Sequence, residues 1–284
     1  MTMQNRRAII RTYVLIVQRC VSMSTTDQFL LALQSYQEIQ AELHQEEQSL
    51  PVGLQTPSPE VPKTQAATIP DGSLLLGLAE DGLPVLLDLY DPAPGPLLVA
   101  GDGGCGKTAF LQSLARASDI QNPGDIQFGV LTPFPEEWAA LDAQPNCLGI
   151  WPAHHPSARG FLSQLAGWAE ELPETRQVVI LLFDGLDLMT GSGFQSQHDL
   201  RWLLMYGPER QIWPVVTVNP GRLTHLQTWL DYFRTRVIGQ IKHTHNTRML
   251  VDNPEINLAN FLPGIQFGLS QPNSWLKFWL PPLG

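Results

Sequence analysis

Eight consecutive residues, Gly101-Asp102-Gly103-Gly104-Cys105-Gly106-Lys107-Thr108, have the types and the spacing to hold a phosphate chain. They fit G-x-x-x-x-G-K-[ST], in which glycines let the backbone curl until its N–H groups face anionic oxygens. Lys107 would reach the β- and γ-phosphates, and the Thr108 hydroxyl would ligate Mg2+. The flanks suit that chemistry. Pro96 to Ala100 is an apolar run that enters the loop like a buried strand, and Ala109 to Arg116 leaves it as a helix former. The helix N-terminus adds the positive end of a dipole. The chain has only four lysines, which makes a chance lysine at this place improbable. ATP with Mg2+ is the expected ligand pair. Cys105, inside the loop, reads as a small spacer rather than a redox group.

A second run carries the complementary chemistry. Val178 to Phe183 is continuously apolar and ends in Asp184-Gly185-Leu186-Asp187. A carboxylate at the end of a buried strand beside a phosphate loop is the Walker B arrangement, which holds Mg2+ directly or through water. The competing reading is an aspartate that merely starts a turn. Trp213 to Val218 is a further strand, closed by Asn219-Pro220. Asn219 lies at the edge where ligands bind in open α/β sheets, so it would sense a γ-phosphate or place the attacking water. A turn-forming asparagine before proline explains it equally well.

These groups need a scaffold. Strands are expected at Leu97–Ala100, Gln127–Leu131, Cys147–Trp151, Val178–Phe183 and Val215–Asn219, with helices at 108–117, 157–171, 197–206 and near 224–232. Alternating strands and helices imply an α/β domain with a mostly parallel sheet flanked by helices. Ahead of it, Leu74 to Leu89 reads as a β-hairpin turning at Glu80-Asp81-Gly82. Thr25-Thr26-Asp27 caps a separate amphipathic helix. Its apolar stripe, Phe29, Leu30, Leu33, Tyr36, Ile39 and Leu43, would dock on the main domain or on another subunit. The expected organisation is an extension and helix over 1–50, a Pro-rich linker over 51–70 and the nucleotide domain over 71–284.

Composition bounds the setting. The chain has 284 residues, 43% hydrophobic and 15% charged, with a net charge of −10. That balance argues against a general nucleic-acid coat. Between Arg201 and Arg248, however, seven basic residues stand against Glu209 and Asp231. Such a stretch suits a polyanion track or a neighbour's nucleotide, and equally an ordinary solvated face. Cys20, Cys105 and Cys147 show no disulfide or metal spacing, which fits a cytoplasmic location. His154-His155 and His243-x-His245 read as loop residues rather than metal ligands. Ala8 to Val17 is too short and too interrupted by Arg11 for a membrane span, and a signal peptide is a weak reading. Met23 offers an alternative start.

Four stretches together resemble the FtsK/SpoIIIE branch of the FtsK–HerA P-loop motors. Gly95 to Thr108 resembles that family's first strand and phosphate loop. Leu182-Phe-Asp-Gly-Leu-Asp-Leu-Met189 resembles its Walker B strand and following Asp-Leu-Met. Gly207 to Pro220 resembles its sensor strand. Phe233-Arg-Thr-Arg-Val to Thr247-Arg-Met-Leu-Val-Asp252 resembles its Phe-x-Thr-Arg strand and the Ser-Arg-x-(Ile/Leu)-Leu-Asp that follows. Pro263 to Gly268 then stands where the family has a Gly-rich turn into its last strand. The resemblance spans about residues 70–270. It implies a RecA/ASCE-like P-loop NTPase fold, a hexameric ring, and a nucleotide at each subunit interface completed by a neighbour's arginine. Arg248 and Arg236 match those arginine positions.

The departures bear on activity. The family carries Asp-Glu at Walker B, and the Glu activates water. Here Gly185 follows Asp184, or, if the alignment slides by one, Phe183 stands in the place of the Asp. Asp187 is then the remaining candidate carboxylate, and Asn219 replaces the family's sensor Gln. Without a placed base, water attack loses roughly 10²–10⁴ in rate. The family's DNA motors also carry membrane spans, a ring-building domain or a winged helix, none of which is recognisable here. Two functions follow from the resemblance. One is an oligomerising ATPase that translocates double-stranded DNA. The other is a degenerate nucleotide-binding assembly module with a protein partner, as in protein-secretion ATPases. A small-molecule kinase would need an acceptor site and lid arginines that the sequence does not display. The aromatic run Trp275 to Pro281 would cover the core or dock a partner.

Overall fold

The computed structural model describes residues 69–119, 125–171, 177–242, 249–251, 256–272 and 274–280. All of them belong to one unit, Pro59–Gly284. The expected amphipathic helix, the linker up to residue 68, Cys20, Met23, His243, His245 and Arg248 lie outside the described residues.

Along the chain run β1 (Ser73–Ala79), β2 (Pro84–Asp88), β3 (Leu97–Ala100), α1 (Lys107–Ser118), β4 (Ile126–Thr132), α2 (Ala139–Asp142), β5 (Cys147–Pro152) and α3 (Pro156–Glu170). Then come β6 (Val178–Phe183), α4 (Phe194–Tyr206), β7 (Ile212–Val218), α5 (Gln227–Leu230), β8 (Thr235–Ile238), β9 (Gln266–Gln271) and β10 (Ser274–Trp279). The strands form one ten-stranded sheet in the order β2-β1-β10-β9-β8-β3-β7-β6-β4-β5. From β8 to β5 every pairing is parallel. From β2 to β8 every pairing is antiparallel. One strand, β7, separates the loop strand β3 from the carboxylate strand β6, which is the ASCE-type P-loop arrangement.

The central strands read as unbroken apolar runs because both faces of the sheet are covered. β3, β6 and β7 are buried at every residue. Their side chains alternate between two cores. Leu98, Leu181, Phe183 and Val216 face α3 and α4. Leu97, Val99, Leu182 and Val215 face α1, where Phe110, Leu111 and Leu114 are fully buried. His155 caps α3, its ring nitrogen accepting from the Ser157 N–H at 3.3 Å.

The hairpin forms where it is expected, and Trp213 ties it to the middle of the sheet. This fully buried indole donates to the Leu89 carbonyl at 2.9 Å. The C-terminal aromatic run covers the core as a strand. It is β10, paired with both β9 and β1, with Phe278 buried against Phe110 and Phe267. The helix expected near 224–232 is the single turn α5, preceded by a 3-10 turn, Pro220–His225. Asn219 caps the 3-10 turn, with Pro220 in its first turn, where a proline is tolerated. Among the described residues no helix is long and apolar enough to cross a membrane.

Candidate nucleotide site

The loop 101–108 leaves the C-terminal end of β3 and runs straight into α1. Gly104 and Gly106 have φ of 77° and 94°, values that glycine alone adopts without strain. Neighbouring segments pin the loop at both ends. The Asp102 N–H donates to Gln240 O at 2.9 Å, and the Asp102 carboxylate accepts from the Lys242 N–H at 2.8 Å. The Gly264 N–H donates to Cys105 O at 2.9 Å. Gly106 and Gly264 meet so closely that a Cβ on Gly106 would lie 2.5 Å from the Gly264 Cα. Between these anchors Gly103 and Gly104 stay exposed, leaving the mouth of the loop open.

Cys105 is 1% exposed, with its sulfur wedged between Gly101 and Gly239. Burial pushes its thiol pKa up, against the opposing pull of Lys107. A neutral thiol in a slot bounded by two glycines is a spacer, not a nucleophile.

Lys107 turns inward. Its ammonium donates to the carbonyls of Gly101 and Asp102 at 2.7 and 3.0 Å, so its charge sits inside the curl of the loop. Thr108 Oγ1 donates to Asp184 Oδ2 at 2.7 Å. The other Asp184 oxygen accepts from Thr217 Oγ1, also at 2.7 Å. Asp184 is 8% exposed, and two hydroxyl donors offset the cost of burying its charge. Thr217 escaped the sequence reading, although a threonine inside the apolar run Val215–Val218 was a signal for it.

Asp184 thus joins the loop, with the Thr108 hydroxyl and a carboxylate meeting as an all-oxygen donor set that fits Mg2+. The next position is less accommodating. Gly185 has φ of 113°, and a Cβ there would lie 3.1 Å from a Leu188 methyl. The backbone therefore turns where the resembling family places a glutamate. Asp187 follows in a 3-10 turn, Leu186–Gly191, and pairs with the Arg222 guanidinium. Asn219 ends β7 on the same sheet edge. Its side-chain oxygen accepts from the Gly221 N–H at 3.0 Å, so that atom is a turn cap.

Of the basic residues between 201 and 248, several are engaged by their own chain. Arg201 lies over the Trp229 ring at 4.6 Å. Arg236 donates to the carbonyls of Phe233, Met249 and Leu250 at 3.2–3.3 Å. That geometry makes Arg236 a clamp between β8 and the segment after it. Arg234 and Lys242 are exposed.

Solved structures similar to this chain include a type VII secretion ATPase and a conjugation coupling protein. EccC of Thermomonospora curvata (ATPases 2 and 3, in complex with a signal sequence peptide) matches 76% of this chain and 42% of its own, at 16% identity and a TM-score of 0.59. EssC ATPases 2 and 3 of Geobacillus thermodenitrificans match 75% of this chain and 45% of their own, at 13% identity and a TM-score of 0.61. The pCW3 conjugation coupling protein TcpA, solved with ATPγS, matches 74% of this chain and 66% of its own, at 12% identity and a TM-score of 0.61. The chain therefore has the fold of the FtsK/SpoIIIE-type P-loop ATPase domains. It spans less than half the length of the EccC and EssC structures. No protein-family model matches it, and no curated protein does.

Proposed function

We propose that this chain binds ATP with Mg2+ at residues 101–108 and works as an oligomerising ATPase module of the FtsK/SpoIIIE-like kind. Its nucleotide state would set its association with a second copy or a protein partner. The observation that carries the reading is the Thr108–Asp184 hydrogen bond at the mouth of the loop. The exposed N–H groups of the loop and the Lys107 ammonium take the phosphates, and Thr108 and Asp184 hold the metal. When bound, Mg2+ supplies charge neutralisation between β- and γ-phosphates. Turnover is slow, because Gly185 provides no base and Asp187 is paired with Arg222. Arg248 of a neighbouring copy is the proposed partner for the developing phosphate charge.

The second reading, a double-stranded DNA translocase, is favoured by the excess of basic residues from 201 to 248, among which Arg234 and Lys242 are exposed. TcpA, a conjugation coupling protein, is in keeping with it, and the signal peptide held by EccC is in keeping with the first. Steady-state ATP turnover with and without long double-stranded DNA separates them, with Lys107→Ala as the blank. Strong stimulation by DNA selects the motor. Nucleotide binding with turnover at the blank level selects the assembly module.

A further inference from the structure

We propose that Arg222 distinguishes a nucleoside triphosphate from a diphosphate within its own subunit, with Asp187 holding its guanidinium until a γ-phosphate competes for it. The proposal rests on the nucleotide-site reading above. It goes further by giving a role to two residues that the phosphate loop does not use.

Topology puts this pair in the right place. β7 lies between β3 and β6, and all three strands run parallel. At their C-terminal ends the strands are tied together, Gly101 N–H to Val218 O at 3.4 Å and Thr217 Oγ1 to Asp184 at 2.7 Å. The turn after β7 therefore rises between the phosphate loop on one side and the Asp184–Asp187 segment on the other. With Thr108 and Asp184 holding the metal, as proposed above, the γ-phosphate end of a bound nucleotide would lie toward this same side.

The turn is rigid but the side chain it carries is not. The Gly221 N–H donates to Asn219 Oδ1 at 3.0 Å and the Arg222 N–H to Asn219 O at 2.9 Å, while Leu223 is fully buried beneath. The Arg222 side chain is 63% exposed, against 19% for Asp187. The cation is the partner free to move, and the carboxylate is the fixed one. A guanidinium matches phosphate oxygens as well as carboxylate oxygens, through paired charge-assisted hydrogen bonds. A γ-phosphate arriving beside Asn219 thus offers Arg222 a second anion. Asp187 and the γ-phosphate then compete, and removing one must strengthen the hold of the other.

A simple staple between two turns predicts something different. Its loss would weaken triphosphate and diphosphate binding alike. The test is calorimetric titration of the full chain with Mg–ADP and with the non-hydrolysable β,γ-imido analogue of ATP. Arg222→Gln should lower the triphosphate-to-diphosphate affinity ratio by about tenfold, the value of one hydrogen bond to a charged group. Asp187→Asn, which preserves shape and folding, should raise that ratio several-fold, and the double variant should match Arg222→Gln. An unchanged ratio in either single variant, or equal loss of both nucleotides, overturns the role of Arg222. A wild-type chain that takes up neither nucleotide overturns the underlying site reading instead.

Discussion

Thr108 and Asp184 stand 76 residues apart in sequence, yet the hydroxyl of one donates to the carboxylate of the other at 2.7 Å. The contact exists because β3 and β6 end on the same edge of the sheet with only β7 between them. It joins two separate motifs in one oxygen-lined cluster, the proposed metal site, and it makes that cluster sensitive to each partner in a defined way.

Replacement of Asp184 by Asn should keep the fold and remove the metal dependence. The amide oxygen still accepts from one threonine and its NH2 donates to the hydroxyl of the other, but the group carries no charge for Mg2+. Calorimetry would show wild-type ATP affinity falling when EDTA is added, and the variant responding little. A variant that still requires Mg2+ for binding would remove Asp184 from the metal shell.

Lys107→Ala should abolish nucleotide binding or reduce it to a trace. The ammonium is held inside the curl of the loop, bonded to the Gly101 and Asp102 carbonyls. Wild-type ATP affinity in this variant would falsify the assignment of the loop.

Thr217→Val should destabilise the domain by about 1–3 kcal/mol, because it leaves one oxygen of a buried carboxylate without its donor. For a domain of this size that corresponds to a fall in Tm of roughly 2–4 °C per kcal/mol. Thermal unfolding of the unliganded protein reads it directly. An unchanged Tm would mean that Thr217 adds nothing to holding Asp184.

Cys105 should resist alkylation at pH 8 in the folded protein. Its thiol is buried and its pKa is raised by that burial, so little thiolate is available. The linkage has a sign. A folded-state pKa above the unfolded one makes the contribution to stability full below the ordinary thiol range and lost as pH rises through the folded value. Stability should therefore decline on the alkaline side, and Cys105→Ala should flatten that decline. Rapid labelling of the native protein would contradict the spacer role.

Much of this site was legible in the sequence because it rests on local patterns. The phosphate loop needs its glycines at fixed spacing, and the strands β3 and β6 are continuous apolar runs that nothing else explains as simply. The hairpin 74–89 was visible in its two apolar runs and the turn at Glu80-Asp81-Gly82 between them. What escaped depended on long-range pairing. β9 and β10 each alternate only weakly, and they are strands because β8 and β1 offer edges to complete. The short segment after Asn219 has leucines at helical spacing, but it forms a 3-10 turn and then the single turn α5, with the backbone leaving helical geometry at Leu226. Thr217 and Arg222 take their meaning from Asp184 and Asp187 in the segment after β6, which no local window contains.

Gly185→Glu is the sharpest test of why the usual water-activating carboxylate is absent. Restoring Asp-Glu at Walker B would, on sequence grounds alone, be expected to raise turnover by roughly 10²-fold or more. The backbone predicts otherwise. With φ of 113°, position 185 disfavours any residue with a Cβ, and that Cβ would press on Leu188 at 3.1 Å. Strain of this kind costs about 1–3 kcal/mol. The added carboxylate would also leave the turn in a direction set by a left-handed backbone rather than along the strand. Turnover should therefore stay near that of the parent while Tm falls by several degrees. A large gain in ATP hydrolysis at unchanged Tm would mean that the turn reorganises readily, and that a single residue separates this chain from an efficient ATPase.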